Sequence, residues 1–170
     1  MNHPIQVCII GNSQATPHQM EVAESAGRIL ASHGHTVVTG GRTGVMEAAA
    51  KGAREAGGIA VGILPTEDSS SSNRYNTVVI PTGMGYTRNA LNILAAQAVI
   101  CVGGMVGTMN EMGFAWMWQR PIWGIQGTGG WTDKVIGTCF DERWDRPIPG
   151  IDLEELEDLA KRWAAGEPIV

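Results

Sequence analysis

The sequence predicts an α/β fold, an open, doubly wound, mainly parallel sheet with helices on both faces. Short apolar runs such as Val7 to Ile10, Val37 to Thr39 and Val99 to Val102 have the unbroken hydrophobicity of strands buried on both sides. Between them lie stretches of helical period with one apolar stripe. Two of the runs end in glycine-rich turns that open a helix, Gly40-Gly41-Arg42-Thr43-Gly44 and Gly103-Gly104-Met105-Val106-Gly107.

Composition bounds the rest. At 170 residues and 44% hydrophobic, the chain fits one domain over residues 1–170 with a sizeable core. A net charge of -5 argues against nucleic acid, whose binding leans on Lys and Arg against phosphate. No basic start followed by an apolar stretch is present, nor any run of bilayer-spanning length, so a cytoplasmic protein without a membrane partner is expected. Cys8, Cys101 and Cys139 are odd in number and the first two lie in apolar runs where buried thiols are common, so no disulfide framework is expected. His3, His18, His33 and His35 lack metal-ligand spacing with these cysteines, so no protein-ligated metal is expected and the histidines read as surface or loop residues.

Taken in order, Ile5 to Ile10 is a buried strand that delivers the polar loop Gly11-Asn12-Ser13. Thr16 before Pro17 is a helix N-cap, and Met20, Ala23, Gly27 and Leu30 form the helix's apolar stripe until Gly34 stops it. Thr36 to Thr39 is the second strand. The Gly40 to Gly44 turn then opens a helix through Ala48, Ala49, Ala50 and Ala53, stopped at Gly57-Gly58. Ile59 to Leu64 is a strand halted by Pro65. Thr66 to Asn76, with serines from Ser69 to Ser72, is a solvated loop or a lid. Thr77 to Ile80 is a further strand closed by Pro81, and Met84 to Ala95 a helix whose stripe is Leu91, Leu94, Ala95 and the following Ala98. Pro121 to Ile125 is a strand, Trp131 to Thr138 a short helix, and Asp152 to Ala165 an amphipathic closing helix.

In such a sheet, ligands bind beyond the carboxyl ends of the strands where the strand order reverses. Gly11, Gly40 and Gly103 all lie at such ends, so their loops converge on one crevice, and helix starts there favour a small anionic ligand. Gly40, Gly41 and Gly44 let backbone approach a phosphate, while Thr43 caps the helix or bonds the ligand. The turn lacks the Lys of a Walker P-loop, and Gly11-Asn12-Ser13 lacks the repeated glycines of a dinucleotide fingerprint. Thr108 and Glu111 have capping-box spacing; the alternative places Glu111 in the crevice as a working carboxylate. Arg88 falls on an apolar stripe and needs a partner, either the ligand anion or a carboxylate such as Glu111. Met109, Met112, Phe114, Trp116, Met117 and Trp118 make the helix after the second turn apolar on nearly every side, which points to a homo-oligomer, a dimer or tetramer.

These motifs, together with Ile63-Leu64-Pro65, Pro81-Thr82-Gly83 and Arg88-Asn89, resemble the Rossmann-like superfamily of LONELY GUY proteins and molybdenum cofactor carriers, from the first strand to about Gly124. The LONELY GUY branch hydrolyses nucleoside monophosphates to base and ribose 5-phosphate. That resemblance implies Arg88 and Glu111 as a catalytic pair and Gly104, Gly107 and Thr108 as phosphate holders. The chain departs from that branch, with Asn89 where Lys is expected, Gly103 where Pro is and Met105 where Gly is. The carrier branch has a G-G-x-x-G-x-M-E-A turn and that glycine, which the chain resembles more closely. The resemblance then implies a binding protein with the molybdenum cofactor as cargo and a molybdoenzyme as recipient. Its contacts would come from Gly11 to Ser13, Gly40 to Gly44, Arg88, Asn89, Gly103, Gly104, Gly107, Thr108 and Glu111. Relatives labelled lysine decarboxylases would need pyridoxal phosphate on a lysine. None is expected here, because Lys51, Lys134 and Lys161 all lie outside the glycine turns.

Overall fold

The computed structural model describes residues 4–170. Its seven-stranded sheet has the order β4-β3-β2-β1-β5-β6-β7. The strands are β1 (Gln6–Gly11), β2 (Thr36–Thr39), β3 (Ala60–Leu64), β4 (Val78–Pro81), β5 (Ala98–Val102), β6 (Ile122–Ile125) and β7 (Gly150–Ile151). Every neighbouring pair is parallel. The chain winds outward from β1 to β4, returns to lay β5 beside β1, then winds outward the other way. The order therefore reverses between β1 and β5, with Ile9 opposite Ile100 and Gly11 opposite Val102.

The helices are α1 (Pro17–Ser32), α2 (Val45–Glu55), α3 (Asn89–Leu94), α4 (Val106–Met117), α5 (Gly130–Val135) and α6 (Leu153–Ala164). Successive strand residues point to opposite faces and so feed two separate cores. Val7, Ile9, Ile100 and Val102 pack with α1, α2 and α6. Cys8, Ile10, Val99 and Cys101 pack with α3, α4 and α5 through Ile93, Met112, Ala115, Trp116 and Val135. The three layers expected from the buried-strand pattern are the observed ones. No helix among the described residues is long and apolar enough to cross a membrane.

Local signals hold where the chemistry is short-range. Thr16 caps α1, accepting from Gln19 N at 3.2 Å while the Gln19 side chain accepts from Thr16 N at 3.0 Å. Asp152 and Glu155 do the same at α6. The expectations differ from the structure where packing decides. Met84 to Ala95 does not start as an α-helix: Gly83 and Gly85 have positive φ, and a 3-10 turn over Gly85–Arg88 precedes α3. On α3 the inward face is Asn89, Asn92 and Ile93, while Leu94, expected on the apolar stripe, is 47% exposed. That face meets polar groups of α4. Met20 is likewise exposed. Strand β7 has too few residues to show a period, and is recruited by pairing with Gly124 and Ile125. His35, read as a surface or loop residue, is buried between β1 and α6. There Nδ1 accepts from Ile5 N at 3.2 Å, so Nε2 donates to the Ala160 carbonyl at 2.8 Å. Burial lowers its pKa, with the Ala160 bond opposing, so the ring favours its neutral form.

Candidate ligand-binding site

The crevice lies at the carboxyl ends of β1, β2 and β5. The turn between β5 and α4 is held from below. Gly103 N donates to Thr128 Oγ1 at 2.9 Å and Gly104 N to Asn12 Oδ1 at 3.0 Å. Asn12 Nδ2 donates to Gln19 Oε1 at 3.2 Å and also to the Gln14 carbonyl. Gln19 Nε2 donates to Thr128 O at 2.7 Å. The amides of Gly103 and Gly104 and the side chain of Asn12 are thus occupied in building the turn. The next N–H groups, those of Val106, Gly107 and Thr108 in the first turn of α4, have no partner among the described residues. They form the free positive end of a twelve-residue helix.

The turn between β2 and α2 is tied to the same Asn12. Gly41 N donates to Thr39 Oγ1 at 3.0 Å, Val45 N to Asn12 O at 3.1 Å and Thr43 Oγ1 to Ser13 O at 3.1 Å. Thr43 is therefore not the cap of α2. Gly44 is, without a side-chain bond and with φ of 68°, because the turn folds back over the Asn12 and Ser13 carbonyls and leaves no room for a Cβ. The serine-rich segment between β3 and β4 bonds to the same turn. Gly41 O accepts from Asn73 N, Asn73 Nδ2 and Asn76 Nδ2, and Arg42 O accepts from Asn73 Nδ2.

Arg88 and Glu111 lie in the buried wall behind the two turns, near enough to feel each other's charge, each 7% exposed. The Arg88 guanidinium passes over Gly40, whose missing Cβ leaves the space for Nη1. Arg88 Nε is buried without a hydrogen-bond partner, and among the described residues no carboxylate lies within ion-pair distance of its guanidinium. Burial pulls its pKa down, opposed by Glu111 and Cys8, with Arg42 adding a like charge; an arginine stays protonated regardless. Glu111 is no capping residue. It lies in the middle of α4, Thr108 is an ordinary buried residue two positions past the helix start, and the cap at Met105 makes no side-chain bond. The chain leaves the β5 turn earlier than the box spacing implies, so the helix starts ahead of Thr108. Glu111 Oε1 accepts from Asn92 Nδ2 at 2.6 Å. Burial lifts its pKa to about 7, against the Asn92 hydrogen bond and the Arg88 charge. Beneath it, burial and then the Glu111 charge hold the thiols of Cys8 and Cys101 well above the ordinary thiol range. Asn89 donates to Asn110 Oδ1 at 3.1 Å, tying α3 to α4.

With this geometry in view, a match to known sequences decides the family. The sequence model of the SLOG cluster4 family, LDcluster4, matches residues 4–144. The chain belongs to the SLOG cluster4 family. Its sheet and motifs are those of the Rossmann-like superfamily of LONELY GUY proteins and molybdenum cofactor carriers. A molybdenum cofactor binding protein from Rippkaea orientalis is 29% identical with a TM-score of 0.82, the alignment covering 96% of this chain and 98% of that one. The molybdenum cofactor carrier protein of Chlamydomonas reinhardtii is 28% identical with a TM-score of 0.78, over 95% of this chain and 99% of that one. Among curated sequences, the cytokinin riboside 5'-monophosphate phosphoribohydrolase of Mycobacterium tuberculosis is 28% identical over 150 residues, 86% of this chain and 70% of that protein.

In this SLOG cluster4 protein the crevice thus gathers Gly40 to Gly44, Arg88, Gly107, Thr108 and Glu111, while Gly11 ends β1 beneath them. Asn12, Ser13, Gly103 and Gly104 shape the turns. Asn92, Asn73, Asn76, Gln19 and Thr128 were not anticipated. Asn92 had a signal: it follows Arg88 by four residues, one helical turn, on a face otherwise apolar. Gln19 had the Thr-x-x-Gln spacing of a capping box, though not its reach to Thr128; the others carry none, since their site partners lie far away in the chain.

Proposed function

We propose that this protein binds a phosphate-bearing small molecule in the crevice and serves as a carrier of the molybdenum cofactor. The observation that carries the reading is Arg88, a buried guanidinium packed over Gly40 with an unpartnered Nε and, among the described residues, no ion-paired carboxylate, at the same end of the sheet as the free N–H groups of Val106, Gly107 and Thr108. A buried cation without a counter-ion is costly, and an oxyanion seated against Arg88 and the α4 start supplies the missing charge. The kinship with carriers and binding proteins of that cofactor supports a pterin phosphate as the anion. Glu111, titrating near neutrality, gives the neighbouring wall a group that donates or accepts a hydrogen bond to a heterocycle edge.

In this reading the chain is a single cytoplasmic domain that works as a homo-oligomer and passes its cargo to a molybdoenzyme. From Thr82 to Gln119 the only charged side chains are Arg88 and Glu111, both buried, and Met105, Val106, Met109 and Met117 along α4 are exposed. An uncharged apolar surface of this kind supports self-association. The test is to purify the protein from cells that make the cofactor, release bound pterin by oxidation and read its fluorescence. Stoichiometric pterin, and slower oxidation of added cofactor, is the expected result. Unchanged cofactor lifetime at saturating protein overturns the proposal.

One observation favours a second reading, phosphoribohydrolase activity. A carboxyl titrating near 7 beside a buried arginine suits proton transfer and stabilisation of an oxocarbenium-like ribose. Incubation with AMP and cytokinin riboside monophosphates, followed for free base, tests it; turnover that survives Glu111→Ala removes Glu111 from the mechanism.

A further inference from the structure

The turn between β2 and α2 is rich in glycine, and left alone it would sample many backbone orientations. The segment between β3 and β4 prevents that. Asn73 Nδ2 donates to two successive carbonyls, Gly41 O at 3.0 Å and Arg42 O at 2.8 Å, and Asn73 N donates to Gly41 O at 2.9 Å. Asn76 Nδ2 adds a bond to Gly41 O at 2.9 Å. The Asn73 amide cannot flip, because its Oδ1 accepts from Tyr75 N at 3.0 Å and would otherwise face both carbonyls.

A trans peptide points its C=O and N–H to opposite sides. With the Gly41 and Arg42 carbonyls anchored on this segment, the N–H groups of Arg42 and Thr43 face away from it. Neither N–H has a partner among the described residues. We infer that Asn73 is a positioning residue for an anion: it locks two peptide planes so that the Arg42 and Thr43 N–H groups are presented together to one oxyanion of the ligand. The inference rests on the phosphate-binding reading above and adds a second seat to it, on the turn that shares Asn12 with the β5 turn. Preorganised donors of this kind bind without first freezing a loose turn, which is where the affinity arises.

The experiment titrates inorganic phosphate into the wild-type protein and into Asn73→Ala, Asn73→Asp and Ser70→Ala, reading the backbone amide NMR shifts. Asn73→Asp keeps the shape but turns an acceptor toward the two carbonyls, and among the described residues Ser70 bonds only to Asp68 in the same segment. In the wild type, phosphate shifts the Arg42 and Thr43 amides. Asn73→Ala weakens phosphate about tenfold, the scale of a lost hydrogen-bond pair, and Asn73→Asp weakens it further. Both variants speed hydrogen exchange at Arg42 and Thr43 with little change in Tm, and Ser70→Ala behaves as wild type. Wild-type affinity in both Asn73 variants overturns this inference alone, as does a wild-type response confined to Val106, Gly107 and Thr108. No phosphate response anywhere in the wild type overturns the proposed function together with it.

Discussion

Replacing Glu111 by Gln isolates the cost of a buried carboxyl. Burial raises the Glu111 pKa from 4.5 to about 7. Below pH 4.5 the folded and unfolded chains both hold the proton, so this group adds no pH dependence. Between 4.5 and about 7 the unfolded chain has released its proton while the folded chain keeps it, so stability falls as pH rises. Each pKa unit is worth about 1.4 kcal/mol, so the loss totals about 3 kcal/mol and levels off above neutrality. Glutamine keeps the Asn92 hydrogen bond through its own carbonyl and has no proton to lose. Urea unfolding of both proteins from pH 5 to pH 8 therefore starts with near-equal stabilities, and Glu111→Gln becomes the more stable by a few kcal/mol at pH 8. A stability difference that does not change with pH, or a wild type more stable than the variant at pH 8, refutes the assignment of Glu111 as a destabilised buried acid.

Other perturbations probe the same wall. Asn92→Leu removes the hydrogen bond that favours the charged carboxylate, so the Glu111 pKa moves further up; carbon-13 NMR of the Glu111 carboxyl follows it. Gly40→Ala drives a Cβ into the Arg88 guanidinium and the Met46 sulfur, and overpacking of this kind costs about 1–3 kcal/mol in thermal or urea unfolding. The same variant displaces Arg88 and loses anion binding, which titration of phosphate reads directly. Met109→Glu with Met117→Glu puts charges on the uncharged face of α4, and sedimentation then shows a smaller species than the wild type. An unchanged sedimentation profile refutes self-association through that face.

Six of the seven strands and the crossing helices were legible in the sequence because buried-strand hydrophobicity, Gly and Pro punctuation and helix caps are local properties, whereas β7 exists only through its pairing with β6. Thr16 and Asp152 cap helices as their own neighbours dictate. The three loops at the ends of β1, β2 and β5 follow from that topology alone, and with them the place of the crevice. What each loop residue does was not legible. Thr108 and Glu111 have the spacing of a cap, yet the backbone leaves the β5 turn early and places Glu111 mid-helix, where desolvation by a core built from β1, β5 and α3 sets its proton affinity. Arg88 needed a partner by its position, but its lack of a carboxylate at ion-pair distance depends on how α3 leans on α4. Asn12, Asn73 and Gln19 turn polar side chains onto backbone far away in sequence, a pairing no local pattern encodes. Period and composition thus determined the frame and the place of the candidate site, while the direction of each polar group around it was decided by tertiary packing, because a hydrogen bond is satisfied by whatever the fold brings within 3 Å.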